Sequence, residues 1–254
     1  MQIVGYEAEP LGDSDHAVLV LAEGADVERV ALEPGTSLEF GLEDRHCAGT
    51  FGDDGHEACA DPAAPYCDRH TSRWPCARCT GGCDLPIDAC HEEHAIYLAA
   101  FAPATFKVGV TRSWRLETRL REQGADRAAH LRTVADGRIA REIEAELAVD
   151  LGDSVRVPAK IDGLHLAVDE AAWADLLADF EVVETFVLDY GFELSERPMA
   201  ETMAAGRVVG TQGRVLVLER SGSRYAVDLR DLVGFEVSEG RSARDLQSNL
   251  GAFG

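Results

Sequence analysis

Apolar positions follow two rhythms along this chain. Residues 17–22 are continuously apolar and short, which predicts a strand buried on both faces. A Pro34-Gly35 turn separates it from a further strand signal at 37–40. Residues 94–100 and 106–111 repeat the strand signal, and the Pro103-Ala104-Thr105 link between them predicts a hairpin. The rhythm then lengthens. Ser113 is placed to cap a helix running to about Gln123, with Leu116 and Leu120 on one face and Gly124 ending it. A third strand is expected at 130–134. Asp136-Gly137 then opens a helix to about Val149, with Ile139, Ile143, Leu147 and Leu151 four residues apart. Residues 155–168 read as β-like and 170–180 as helical. Short strands fill 200–238, punctuated by Gly213 and Ser221-Gly222-Ser223, as in a small barrel that draws on the N-terminal strands.

Residues 47–94 fit neither rhythm, and they hold every cysteine: Cys47, Cys59, Cys67, Cys76, Cys79, Cys83 and Cys90. Seven is an odd number, which disfavours a disulfide framework, and short thiol spacings favour a soft tetrahedral ion such as zinc. Cys76-x-x-Cys79 with Cys83 gives three sulfurs, and Cys90 is the natural fourth, with His91 and His94 as competitors. Cys67-x-x-His70 resembles a second half-site, with Cys47 and Cys59 as its partners. Eight ligands make two sites, whose pairing the spacing leaves open. Buried free thiols would not gather in a Gly/Pro/Asp-rich stretch.

Charge changes the picture next. The chain carries 24 basic and 46 acidic residues, a net −22, and its only lysines are Lys107 and Lys160. Acids spread along the whole length read as adaptation to a salty, halophilic cytoplasm, where screening removes the penalty of self-repulsion. The start has no basic-then-apolar leader, and the longest apolar run, 95–106, is too short to span a bilayer and is cut by Pro103. A cytoplasmic protein with no membrane partner is expected. Against the acidic background, residues 107–141 hold Lys107 and eight arginines with four acids, a local charge of +5. Concentrated arginine is the usual footprint of phosphate recognition, although arginines on helices also pair with nearby glutamates.

The order strand, strand, helix, strand, helix over 96–151 carries a resemblance. Ile96-Tyr97-Leu98, Lys107-Val108-Gly109-Val110-Thr111 and Arg119-Leu120 resemble the GIY-YIG endonuclease superfamily. Cys76 to Cys90, His94-x-x-Tyr97-Leu98-Ala99, Lys107 to Arg112, and Arg119 with Gln123-Gly124-Ala125 are similar still more closely to DUF2797, an uncharacterised family. The similarity covers roughly residues 47–165. It implies metal-dependent cleavage of a phosphodiester. Tyr97 would position or deprotonate the nucleophile, and Arg119 would hold the scissile phosphate. Glu144 would bind one Mg²⁺ or Mn²⁺, since Leu147, Leu151 and Asp153 follow it at the family's spacing. Lys107 stands where the superfamily has its second tyrosine. A desolvated lysine there serves either as a base or as a phosphate contact.

The expected fold is α+β. A cysteine-rich zinc module precedes a GIY-YIG-like β-β-α-β-α core, with β-rich N- and C-terminal segments. The expected divisions are 1–46, 47–94, 95–165, a helical connection at 166–198, and a β-rich domain at 199–254. The expected partner is DNA or RNA, gripped by Arg112, Arg115 and Arg119. Three activities are compatible with this reading: an endonuclease, a zinc-stapled nucleic-acid-binding module without catalysis, and a protein–protein scaffold.

Overall fold

A computed structural model describes residues 1–8, 16–52, 54–71 and 88–240. In chain order the strands are β1 (Gln2–Glu7), β2 (Val18–Glu23), β3 (Asp26–Ala31), β4 (Ser37–Arg45), β5 (Thr50–Gly52), β6 (Gly55–Glu57), β7 (His94–Phe101), β8 (Thr105–Arg112) and β9 (Arg127–Val134). They continue as β10 (Glu184–Val187), β11 (Met199–Ala200), β12 (Ala204–Gln212), β13 (Val215–Arg220), β14 (Ser223–Asp228) and β15 (Phe235–Glu239). The helices are α1 (Leu116–Gln123), α2 (Gly137–Leu151), α3 (Val157–Gly163), α4 (Glu170–Leu177) and α5 (Leu229–Leu232). The architecture is mixed α+β and rich in strands.

The smaller sheet has the order β10-β9-β7-β8, all antiparallel. Its inner strand β7 is apolar and buried from Ala95 to Phe101 because both faces are covered. Ile96, Leu98 and Ala100 pack with Trp173 and with the α2 side chains Ile143, Leu147 and Leu151. Ala95, Tyr97, Ala99 and Phe101 face Leu116 and Leu120 of α1. Deleting one of these leucines to alanine typically costs about 2–5 kcal/mol.

Strands from both ends of the chain build the larger sheet, in the order β11-β14-β13-β12-β4-β15-β1-β2-β3. Its strand β2 repeats the logic of β7. Leu19 and Leu21 enter one cluster with Ile3, Leu216 and Leu218, while Val18 and Val20 enter another with Val4 and Val233. The order is linear, with β11 and β3 as unpaired edges among the described residues, so the sheet is open and is no closed barrel. The edge strand β3 is blunted by exposed charge at Asp26, Glu28 and Arg29.

Three local expectations need correction. Ser113 caps nothing: α1 begins after a 3-10 turn (Ser113–Arg115), and the Ser113 hydroxyl is buried without a partner. Residues 157–163 of the β-like stretch form α3, whose Val157 and Ile161 pack on Val215 and Ala226. In α2 it is Ala140 that is buried, whereas Ile139 is half exposed. The Asp136 cap does form, accepting from the Arg138 N–H at 2.7 Å.

The two sheets meet at the end of α1. Gly124 closes the helix in the left-handed region at φ 69°, and a Cβ there would lie 2.9 Å from the Gln212 carbonyl. The Gln212 amide donates to the Gly124 carbonyl and to the Asp126 carboxylate, both at 3.0 Å. This seam fixes one side of the cleft described below.

Candidate metal centre and cationic cleft

Cys47, Cys59, Cys67 and His70 converge, with all their ligand atoms within 4.8 Å of one another. Cys47 leaves the end of β4, Cys59 follows β6, and Cys67 and His70 share one turn in which the His70 and Thr71 N–H groups donate to the Cys67 carbonyl. His70 Nδ1 is 3.2 Å from Cys47 Sγ and 3.3 Å from Cys67 Sγ. A tetrahedral zinc site has S···N edges of about 3.6 Å, so the donor set fits such an ion. All three thiols are buried. The Gly49 and Cys67 N–H groups donate to Cys47 Sγ at 3.4 and 3.3 Å, and Arg69 reaches Cys59 Sγ at 3.9 Å. Burial pushes the Cys67 thiol up, but the N–H groups of Arg69 and His70 and the neighbouring thiols outweigh it and hold it at about 6. Burial raises Cys47. Cysteine S–H groups packed this closely are poor partners for one another, and a bound cation resolves the conflict.

Cys76, Cys79 and Cys83 of the other expected site lie outside the described residues. Cys90 sits in a 3-10 turn (Asp88–His91) and is half-buried. His94 Nδ1 bonds the Glu92 carbonyl, and its ring lies against Gly137.

Lys107 and Arg119 meet across the seam between β8 and α1. The Lys107 ammonium donates to the Asp153 carbonyl at 2.9 Å, because the Val108 N–H holds the Gly152 carbonyl at 3.0 Å and brings the end of α2 to the strand. Burial pushes Lys107 down to about 8, and Arg119 beside it adds to the push, while Glu144 and Asp153 oppose it. Arg119 donates to Glu122 at 3.0 Å, and Arg115 grips the same carboxylate at 2.6 Å.

Tyr97 lies under this pair, only 1% exposed. It is paired in register with Gly109, where a Cβ would come within 2.5 Å of the phenol oxygen. Glycine at 109 is therefore what lets the ring cross β8. Gln123 donates to the Tyr97 oxygen at 2.5 Å, and Arg119 bonds it as well. Burial pushes the Tyr97 hydroxyl up, so it stays protonated. Glu144 influences both Tyr97 and Lys107 electrostatically, and it is held by Arg141 at 2.6 Å.

A cleft of about 920 Å³ opens above Lys107 and Arg119, between the two sheets. Lys160, Arg156, Arg214 and Arg29 complete its cationic lining, against the acids Glu7, Glu122 and Asp153. Tyr97 and Glu144 do not line it. Arg112 and Arg115 stand elsewhere, with their guanidinium carbons 5.5 and 5.9 Å from the exposed Trp114 ring. The surplus of positive charge at 107–141 is largely paired in three dimensions. Arg112, Arg121, Arg127, Arg138 and Arg141 meet Glu92, Glu117, Glu170, Asp136 and Glu144 respectively.

Sequence reasoning passed over Lys160, Arg214 and the role of Gln123. Lys160 carried the same signal as Lys107, a lysine in a chain that otherwise uses arginine. Gln123 lay inside the matched Gln123-Gly124-Ala125 string. Arg214, far away in sequence, had no local signal.

Fold and site together define a β-rich α+β protein with a Cys3His centre able to hold a metal ion such as zinc. Residues 59–237 match the family described as "Protein of unknown function (DUF2797)", a match over more than half of the chain, and the protein belongs to that family. Comparison with curated proteins and with solved structures returns no match. Among the described residues no helix is long and apolar enough to cross a membrane.

Proposed function

We propose that this protein acts on nucleic acid, gripping a phosphodiester in the cationic cleft and cutting it in the manner of a GIY-YIG-like core. The observation that carries the reading is the convergence of both lysines and four arginines on one cleft in a chain of charge −22. Like charges held together in a partly buried space are costly without an anionic ligand, and phosphate matches lysine and arginine donors.

Arg119 holds the scissile phosphate, oriented by Glu122 on one side and Tyr97 on the other. Lys107, the other cation at the floor, contacts the same phosphate when charged and takes a proton from the attacking water when neutral. Its value of about 8 makes both forms accessible near neutral pH. Tyr97 is sealed from the cleft and acts through Arg119 and Gln123 as a positioning residue. Glu144 is the carboxylate that would hold one Mg²⁺ or Mn²⁺, the ion supplying charge neutralisation at the leaving oxygen. The Cys3His centre takes a structural zinc ion.

A second reading, binding without cleavage, is favoured by the place of Glu144: it lies outside the cleft lining, and Arg141 already occupies one of its oxygens. Zinc-loaded protein is incubated with labelled single- and double-stranded DNA and RNA in high-potassium buffer with Mg²⁺ or Mn²⁺. Metal-dependent products that vanish in Glu144→Gln, with binding retained, are expected. Products unchanged in that variant would sink the role of Glu144, and binding without products would leave the second reading.

A further inference from the structure

We infer that the cleft holds a second phosphate subsite, built by Lys160 and Arg214, and that its ligand is an unpaired nucleic-acid strand lying with adjacent phosphates on the two subsites. This rests on the phosphodiester reading above and adds Lys160, which follows the strand-strand-helix-strand-helix unit of 96–151, and Arg214 from the larger sheet.

Lys160 projects from α3, and Arg214 comes from the turn between β12 and β13, so the larger sheet supplies half of the subsite. Lys160 Nζ donates to the Gln123 carbonyl at 2.6 Å and rests 4.6 Å from the Phe101 ring centroid. One of its three N–H groups is thereby used, and the head is fixed in place with donors to spare. Arg214 gives one nitrogen to Asp228 at 2.8 Å, while its Nε is buried with no partner. A buried donor left unmet costs stability unless a ligand meets it. The subsites are mechanically joined. Gln123 takes Lys160 on its carbonyl, while its side chain donates both to Tyr97 and to the Arg119 carbonyl. Lys107, Arg119 and Arg214 all lie close enough to repel the Lys160 ammonium. Glu122 pairs with Arg119 and Asp228 with Arg214, yet the cleft lining still sets six cations against three acids, a surplus that one phosphodiester group does not balance.

Depth selects the strand. Lys107 is only 8% exposed, so a phosphate must reach the cleft floor to touch it. A duplex carries its phosphates on the outside of a wide cylinder and cannot lower one there, whereas an unpaired strand can. About 920 Å³ lies at the upper end of the roughly 300–1,000 Å³ typical of small-molecule sites, which suits a short run of strand better than one phosphate group.

Fluorescence anisotropy with zinc-loaded protein, without added Mg²⁺ or Mn²⁺, tests this across a potassium series. The probes are a labelled single-stranded oligonucleotide, the blunt duplex of the same sequence, and a nucleoside triphosphate as competitor. The single strand is expected to bind about tenfold or more tighter than the duplex. Lys160→Met and Arg214→Met are each expected to weaken it about tenfold and to lower the salt slope by about one. Lys160→Arg, which keeps the charge, should retain most of the affinity, and zinc content and circular dichroism verify folding. Unchanged affinity in Lys160→Met and Arg214→Met, with loss in Arg119→Met, overturns the second subsite and leaves the phosphodiester reading standing. Equal affinity for the duplex, or full competition by the triphosphate at equal concentration, overturns the unpaired strand. No binding of any probe by the wild type removes both readings.

Discussion

The Cys47–His70 centre and the lysine cleft both press like groups together, thiols in one and cations in the other. They differ in how the chain builds them. The metal centre draws its ligands from 24 consecutive residues, closed by short turns, with Cys67 and His70 in a single turn. The cleft draws its cations from positions as far apart as Arg29 and Arg214, brought together by two sheets. They also differ in what is buried. The three thiols are buried around a point where an ion would sit, so an ion bound there would be part of the fold. Lysines and arginines keep one face toward the cleft, so the fold stands with the cleft open, and in the proposed function the retained repulsion serves binding. Stability should therefore depend on the first region and activity on the second.

The sharpest break in this comparison is loss of the metal. Cys67→Ala, or prolonged chelation, is expected to release the ion and unfold residues 46–71, with linked free energy on the order of 10 kcal/mol as in small zinc domains. Elemental zinc per chain and hydrogen exchange across that segment check it. Retained protection without metal would mean that the thiols are packing groups only.

A smaller effect is expected beneath the cleft. Gly109→Ala places a Cβ 2.5 Å from the Tyr97 oxygen and should cost about 1–3 kcal/mol by overpacking. The same shift disturbs Gln123 and Arg119, so phosphate affinity should fall together with the melting temperature. An unchanged melting temperature would show that Tyr97 moves freely.

The smallest effect runs the other way. Lys107→Met removes a buried like charge and should be neutral or stabilising by about 1 kcal/mol, while nucleic-acid binding drops. The sign follows from protons. Lys107 falls from the ordinary 10.5 to about 8 on folding, so between those values the unfolded chain binds more protons and stability rises with pH. Arg119 and Arg141 face this ammonium as cations, and Glu144 and Asp153 as anions. Lys160 shifts in the same direction through burial and then Lys107, Arg214 and Arg119. Urea denaturation from pH 7 to 11 should show rising stability through this window, with a shallower rise in Lys107→Met. A strongly destabilised Lys107→Met would place the lysine among the structural groups instead.

Much of the smaller sheet was legible because its signals are local. Strand signals at 94–100 and 106–111 with the short link at Pro103 pointed to the hairpin, Gly124 to the helix end, and Asp136 to the next cap. The Cys67-x-x-His70 half-site with Cys47 and Cys59 was legible for the same reason: ligand chemistry and short spacing survive in one dimension. Ser113 misled because its hydroxyl faces inward, which no sequence position states. Residues 157–163 misled because α3 is short and is held by packing on Val215 and Ala226 more than by its own propensity.

The sequence by itself determined that thiols and an imidazole would gather, that Tyr97, Lys107 and Arg119 would share a hairpin-and-helix unit, and that lysine was scarce enough to mean something. Tertiary structure alone decided that the strands from the two chain ends, expected together in a barrel, lie in one open sheet, that most arginines of 107–141 find acidic partners, and that Lys160 and Arg214 join Lys107. The physical reason is range. Spacing and caps act over a few residues along the backbone. Charge neutralisation and sheet pairing act through space, and only the folded chain says which distant groups become neighbours.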